Sequence, residues 1–146
     1  MLLVENSQSL SPFLQQRHIA EMEILKDAQR LFPGIKDMLQ ACKPYATPVI
    51  VSNGFGEYLR KSMELTGVLQ EFDWLESLIE GRSKAEALRV TLERYPGYKA
   101  IMIGDRLGDI DAGKANGIPT IACCYGYGHE EEYCQADMRV DTVEEL

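Results

Sequence analysis

Three short runs, residues 48–52, 100–103 and 119–124, are built mainly from Val, Ile, Met, Ala and Cys without apolar–polar alternation. A strand with no polar face must be covered on both sides, which is the condition of a parallel sheet sandwiched between helices. The stretches between the runs read as those helices. Leu14, Met22, Leu25, Ala28 and Phe32 lie near one stripe of a helix over residues 13–32, with Pro12 at its start and Pro33-Gly34 breaking it. Ile35, Met38 and Leu39 mark a helix at 35–42, and another at 57–65 is closed by Gly67. Ser83-Lys84-Ala85-Glu86 is a capping box. The helix it opens sets Ala85, Leu88, Leu92 and Tyr95 on one face before Pro96-Gly97 stops it. A short helix at 109–116 ends at Gly117. Residues 72–78 and 138–140 are weaker strand candidates, and Met1-Leu2-Leu3-Val4 is an apolar opening strand. The pattern predicts an α/β fold with a doubly wound, mostly parallel sheet.

The 146 residues suffice for one domain, expected to span 1–146 with 12–32 as a helical segment in place of a cap. Lys and Arg number 15 against 23 Asp and Glu, for a formal charge of −8. Such a surface argues against nucleic acid or an anionic membrane as partner. A phosphorylated ligand must therefore be held by local groups. The opening residues have no basic lead, and no apolar run approaches the ~20 residues that cross a bilayer. The four cysteines, Cys42, Cys123, Cys124 and Cys134, form no CxxC pair. They are expected as buried, reduced thiols in a cytoplasmic chain. A zinc site from Cys123, Cys124, His129 and Cys134 is disfavoured, because neighbours on a strand point to opposite faces. His18 and His129 are expected on the surface.

Ligands of doubly wound sheets sit at the carboxyl ends of the strands. That rule selects Glu5, Ser52 and Asp105. Ser52-Asn53-Gly54 offers a hydroxyl and helix N-terminal amides to a phosphate, although a plain helix cap accounts for it too. Lys84 stands at the first turn of its helix, where the dipole does not favour a cation. Asp105 ends a strand and Asp109 follows four residues later, a carboxylate pair suited to Mg²⁺. Asp109 is equally suited to cap its helix.

Taken together, these stretches resemble the haloacid dehalogenase superfamily of phosphohydrolases, in its phosphoglycolate phosphatase-like branch. Ser52-Asn53-Gly54 resembles the second motif. Lys84 resembles the third, whose lysine steadies the nucleophile and the phosphoryl group. Asp105 and Asp109 resemble the fourth, which binds Mg²⁺. Residues 112–120, Tyr125-Gly126-Tyr127-Gly128 and the closing residues 140–146 are similar to that branch as well. The family's first motif is an apolar strand followed by Asp-x-Asp-x-Thr, with the nucleophile first and the general acid/base second. Here Glu5 falls at the nucleophile and metal position, Ser7 at the acid/base position and Ser9 at the threonine.

The resemblance implies a first strand between those ending at Ser52 and Asp105, and residues 1–4 can fill that slot. The alternative is a lost first strand, with residues 1–32 as the remnant of a cap. Either way the 5–52 spacing leaves the cap minimal or absent. The expectation is a phosphohydrolase-like protein of lost or strongly weakened activity. Lys84, the Ser52-Asn53-Gly54 cradle and a weakened Mg²⁺ site would still take a small phosphorylated molecule. An active small Mg²⁺-dependent phosphomonoesterase and a non-catalytic scaffold acting through a homo-oligomer are the rivals.

Overall fold

The computed structural model describes residues 11–24, 30–77 and 81–146. The elements follow the apolar pattern in order: α1 (Pro12–Ile24), α2 (Ile35–Cys42), β1 (Val49–Val51), α3 (Gly56–Thr66), β2 (Trp74–Glu76), α4 (Lys84–Glu93), β3 (Met102–Gly104), α5 (Leu107–Ala115), β4 (Thr120–Cys123), α6 (Glu130–Tyr133) and β5 (Met138–Val140). Single 3₁₀ turns lie at Leu69–Glu71 and Val143–Glu145. Every described strand pairing is parallel. β1 lies beside β2 with Ile50 opposite Leu75, and β4 lies between β3 and β5 with Ile121 opposite Ile103 and Met138. The described strands thus form a two-stranded and a three-stranded sheet. The expected opening strand, residues 1–4, is outside the described residues.

Helices pack on the strands, but the burial on both faces expected of the 100–103 run is not met, since Ile101 and Ile103 are exposed. Leu39 of α2 and Met63 of α3 bury against Val68, with Ile50 and Leu75 packed on them. A second cluster joins Leu88 of α4, Met102 of β3 and Ala112 of α5, and Val51 of β1 packs against it. α4 therefore bridges the two sheets, and the ends of β1 and β3 are held to one body. Ile110, Ala122 and Tyr133 form a third cluster around α5, β4 and α6. On β3, Met102 is buried while Ile103 is exposed.

Sequence punctuation decides most boundaries. Gly67 takes φ 69° at the end of α3, which L-residues with a Cβ disfavour, and its N–H closes the turn on the Glu64 carbonyl. Ser83 Oγ accepts the Glu86 N–H at 3.2 Å, and Glu86 accepts the Ser83 N–H at 2.9 Å. Ser83→Ala is expected to lower stability by about 1 kcal/mol, read as a reduced urea midpoint at unchanged m-value.

Some boundaries differ from expectation. The helix expected over 13–32 does not reach Phe32. Residues 30–32 are non-helical, because Pro33 disfavours helical geometry in the residue before it. α5 starts at Leu107 rather than 109, since Asp109 caps it from its first turn. The cysteines are unpaired, but only Cys123 is buried and Cys134 is exposed, so uniform burial is corrected. Cys134 closes the short α6 at the surface, where no core face is available to it.

Candidate functional site

Ser52 follows the carboxyl end of β1 and Asp105 that of β3, and α4, which opens at Lys84, packs against Val51 at the end of β1 and against α5. Lys84 is the first residue of α4, and its Nζ lies 2.5 Å from Asp109 Oδ1. The lysine side chain is 16% exposed and the carboxylate 9%, so the pair is nearly dry. This partner offsets the unfavourable helix dipole at Lys84. The other Asp109 oxygen accepts the Arg106 N–H at 3.1 Å. Asp109 thus fills the capping role expected of it, and its pairing with Lys84 is an addition that the sequence did not announce.

Asp105 turns its Oδ2 to the Tyr127 N–H at 2.6 Å, in the loop after β4. That closeness needs glycine. A Cβ on Gly104 would fall 2.3 Å from Asp109 Cγ, and one on Gly126 would fall 2.2 Å from Asp105 Cβ. Tyr133, buried on α6, lies beneath Gly128 in the same loop. Glu132 of α6 accepts the Leu107 N–H at 2.6 Å and the Arg106 Nε–H at 3.2 Å. The Leu107 amide, ahead of other causes, holds the Glu132 carboxyl below the usual range.

Ser52 follows β1, and its Oγ accepts the Gly54 N–H at 3.1 Å. The loop is clasped by α1. Arg17 donates to the Asn53 carbonyl at 2.7 Å, and Glu21 accepts the Phe55 N–H at 3.3 Å while pairing with Arg17 at 2.8 Å. Two amides that an open cradle would offer to a phosphate, those of Gly54 and Phe55, are therefore engaged within the protein. The Ser52 hydroxyl hydrogen is left to donate. His18, expected on the surface, instead packs edge-on against buried Phe55 at 4.9 Å, with Nε2 3.5 Å from Glu57. The reason is that α1 lies against α3, where the sequence pattern had no partner for it.

Phe32 meets Tyr125 at 5.2 Å and Tyr127 at 6.2 Å between ring centres, walling the Asp105 loop. Burial pushes the Tyr125 phenol well above its usual value, and the Cys123 thiol beside it is also raised. An open cleft elsewhere is lined by Asp73, Trp74, Arg94 and Tyr95. It lies at the start of β2, away from this chemistry, and its groups satisfy one another. The Tyr95 hydroxyl donates to Asp73 at 2.6 Å, and Arg94 stacks on Trp74 at 3.5 Å.

The structure pairs Lys84 of α4 with Asp109 on the turn between β3 and α5 that Asp105 opens, and holds Ser52, Asn53 and Gly54 in the loop after β1. Glu5, Ser7 and Ser9 lie outside the described residues. Among the described residues, no group of three or more His, Cys, Asp and Glu side chains is placed to hold a metal. Two carboxylates still fit Mg²⁺, which commonly takes one or two from protein and fills its shell with water and phosphate oxygens. The sequence reading missed Arg17, Glu21 and Glu132, whose contacts join distant segments and leave no local signal.

Comparison with known proteins decides the family. The sequence profile of the haloacid dehalogenase-like hydrolases matches residues 3–117. The chain belongs to the haloacid dehalogenase-like hydrolases. Within this family it is similar to the phosphoglycolate phosphatase of Aliivibrio fischeri, with 28% identity over 119 residues, 77% of this chain and 52% of the relative. It is 24% identical over 132 residues to that of Escherichia coli K12, covering 85% of this chain and again 52% of the relative. The chain thus spans about half the length of the curated relatives it matches.

Among solved structures, a haloacid dehalogenase-like family protein from Streptococcus pneumoniae superposes with a TM-score of 0.78 at 20% identity, covering 95% of this chain and 71% of that one. A predicted phosphoglycolate phosphatase from Haemophilus somnus gives 0.77 at 21%, covering 92% and 65%. Both support the α/β core. No described helix of this haloacid dehalogenase-like chain is long and apolar enough to cross a membrane.

Proposed function

We propose that this phosphoglycolate phosphatase-like chain retains the phosphate- and Mg²⁺-binding half of a phosphohydrolase site and has lost, or strongly weakened, hydrolysis. The observation that carries the reading is the nearly dry Lys84–Asp109 pair beside Asp105. A buried ion pair is a poor route to stability, and replacing one with apolar groups is often neutral or better. Its presence at the carboxyl edge suits a site that handles charge. Lys84 supplies a cation to a bound phosphoryl oxygen, and Ser52 adds a hydroxyl donor. Asp105 and Asp109 are the groups that would hold Mg²⁺, which when bound neutralises charge on the phosphoryl oxygens.

The weakness lies in the opening residues. Phosphoryl transfer depends on positioning and charge stabilisation. A glutamate at the nucleophile position extends its carboxylate by about 1 Å, a misplacement able to cost ~10²-fold. Ser7 cannot protonate a leaving group at neutral pH, and losing a general acid costs ~10²–10⁴-fold. The ligand class is a small phosphorylated molecule, and the unpaired cysteines suit a reducing cytoplasm.

Thermal unfolding tests retained binding. Ligand at about 100 times its Kd stabilises by roughly 2.7 kcal/mol, a rise of several degrees for a domain of this size. Orthophosphate with Mg²⁺ is expected to raise Tm in the unmodified protein and much less in Lys84→Met. No rise with either ligand would favour the non-catalytic scaffold.

A further inference from the structure

We infer that Glu132 is a positioning residue that fixes the turn presenting Asp105 and Asp109. The inference rests on the proposed metal and phosphate reading of that turn, but its geometry stands on separate contacts. Asp105 and Asp109 flank Arg106, Leu107 and Gly108. Asp109 holds the Arg106 amide with one oxygen and Lys84 with the other, and Asp105 holds the Tyr127 amide. The middle of the turn is held from outside, by the Glu132 carboxylate on the Leu107 N–H at 2.6 Å and the Arg106 side chain at 3.2 Å.

Glu132 is itself well placed to hold still. Its side chain is only 14% exposed, although it lies in the acidic run Glu130-Glu131-Glu132. Its neighbour Tyr133 is buried against Ile110 and Ala122. Glu130 is tied to Arg139 of β5 by paired contacts at 2.6 and 2.7 Å. The short α6 is thus anchored on both sides of Glu132. A carboxylate accepting an N1 amide also opposes the positive end of α5. Residues that orient metal-binding carboxylates from behind typically alter metal affinity by 10–100-fold when removed.

The test uses amide hydrogen exchange and Mg²⁺ titration on Glu132→Ala and Glu132→Gln. Glu132→Ala is expected to accelerate exchange at Leu107 and also at Arg106 and Tyr127, whose amides report the two aspartates. Protection in α2 and α3 should be unchanged, which verifies folding. Glu132→Gln keeps an oxygen for the Leu107 amide and is expected to restore most protection. The Mg²⁺ dissociation constant is expected to rise at least ~10-fold in Glu132→Ala and to recover in Glu132→Gln. Acceleration confined to Leu107 would reduce Glu132 to a local cap and overturn the inference, as would wild-type Mg²⁺ affinity in Glu132→Ala. Failure of the unmodified protein to bind Mg²⁺ overturns the metal reading instead, and the pattern at Arg106 and Tyr127 then decides the role of Glu132.

Discussion

Glu5→Asp combined with Ser7→Asp is expected to raise Mg²⁺-dependent hydrolysis of a phosphomonoester by about 10⁴-fold. The two changes repair different steps. Shortening Glu5 withdraws its carboxylate by one methylene to the in-line position that positioning demands. The new acid at residue 7 supplies a proton to the leaving oxygen, which a serine hydroxyl cannot do at neutral pH. Each single change should give only part of the gain, and the double variant should exceed either, because residues of one reacting group act as a unit. Steady-state rates of the four proteins give the result directly. No gain in the double variant would show that residues 5 and 7 are not at the nucleophile and acid positions.

The second large effect concerns stability. Removing one partner of a buried pair leaves an uncompensated charge and typically costs 3–5 kcal/mol. Lys84→Met should therefore destabilise by about 3 kcal/mol, since Asp109 is nearly buried and keeps only the Arg106 amide. Asp109→Asn should act similarly by stranding Lys84. The double variant should cost less than the sum, the sign of direct coupling. Gly104→Ala attacks the same pair sterically, because its Cβ would lie 2.3 Å from Asp109 Cγ. Overpacking of this kind costs about 1–3 kcal/mol. Urea unfolding of the set measures all four values, and a loss below ~1 kcal/mol in Lys84→Met would mean that water screens the pair.

Much of this architecture was legible because its causes are local. Uninterrupted apolar runs gave β1, β3 and β4, and even the weak candidates at 72–78 and 138–140 contain β2 and β5. Ser83 and Glu86 close a capping box that four consecutive residues suffice to reveal. Lys84 and Asp109 each stood out in the sequence, but their pairing did not. Contacts set by distant segments were not legible. Glu21 reaches Phe55 across 34 positions and Glu132 reaches Leu107 across 25. Glu132 is the last of three consecutive acids at 130–132, and only the fold turns it inward. α1 appears in sequence as an isolated helix, yet its Arg17 and Glu21 occupy the loop that the pattern offered to phosphate. The readings of Glu5 and Ser7 lie outside the described residues and rest on their place after an apolar opening.

A retained binding edge with little or no hydrolysis is tested by one turnover assay. The unmodified chain is incubated with a generic phosphomonoester and Mg²⁺, with Glu5→Ala as control. Typical enzymes turn over at about 10 s⁻¹. A combined loss on the order of 10⁴ sets the expectation at roughly 10⁻³ s⁻¹ or below. Turnover near ~1 s⁻¹ that disappears in Glu5→Ala would contradict the account and establish an active phosphatase with a glutamate nucleophile.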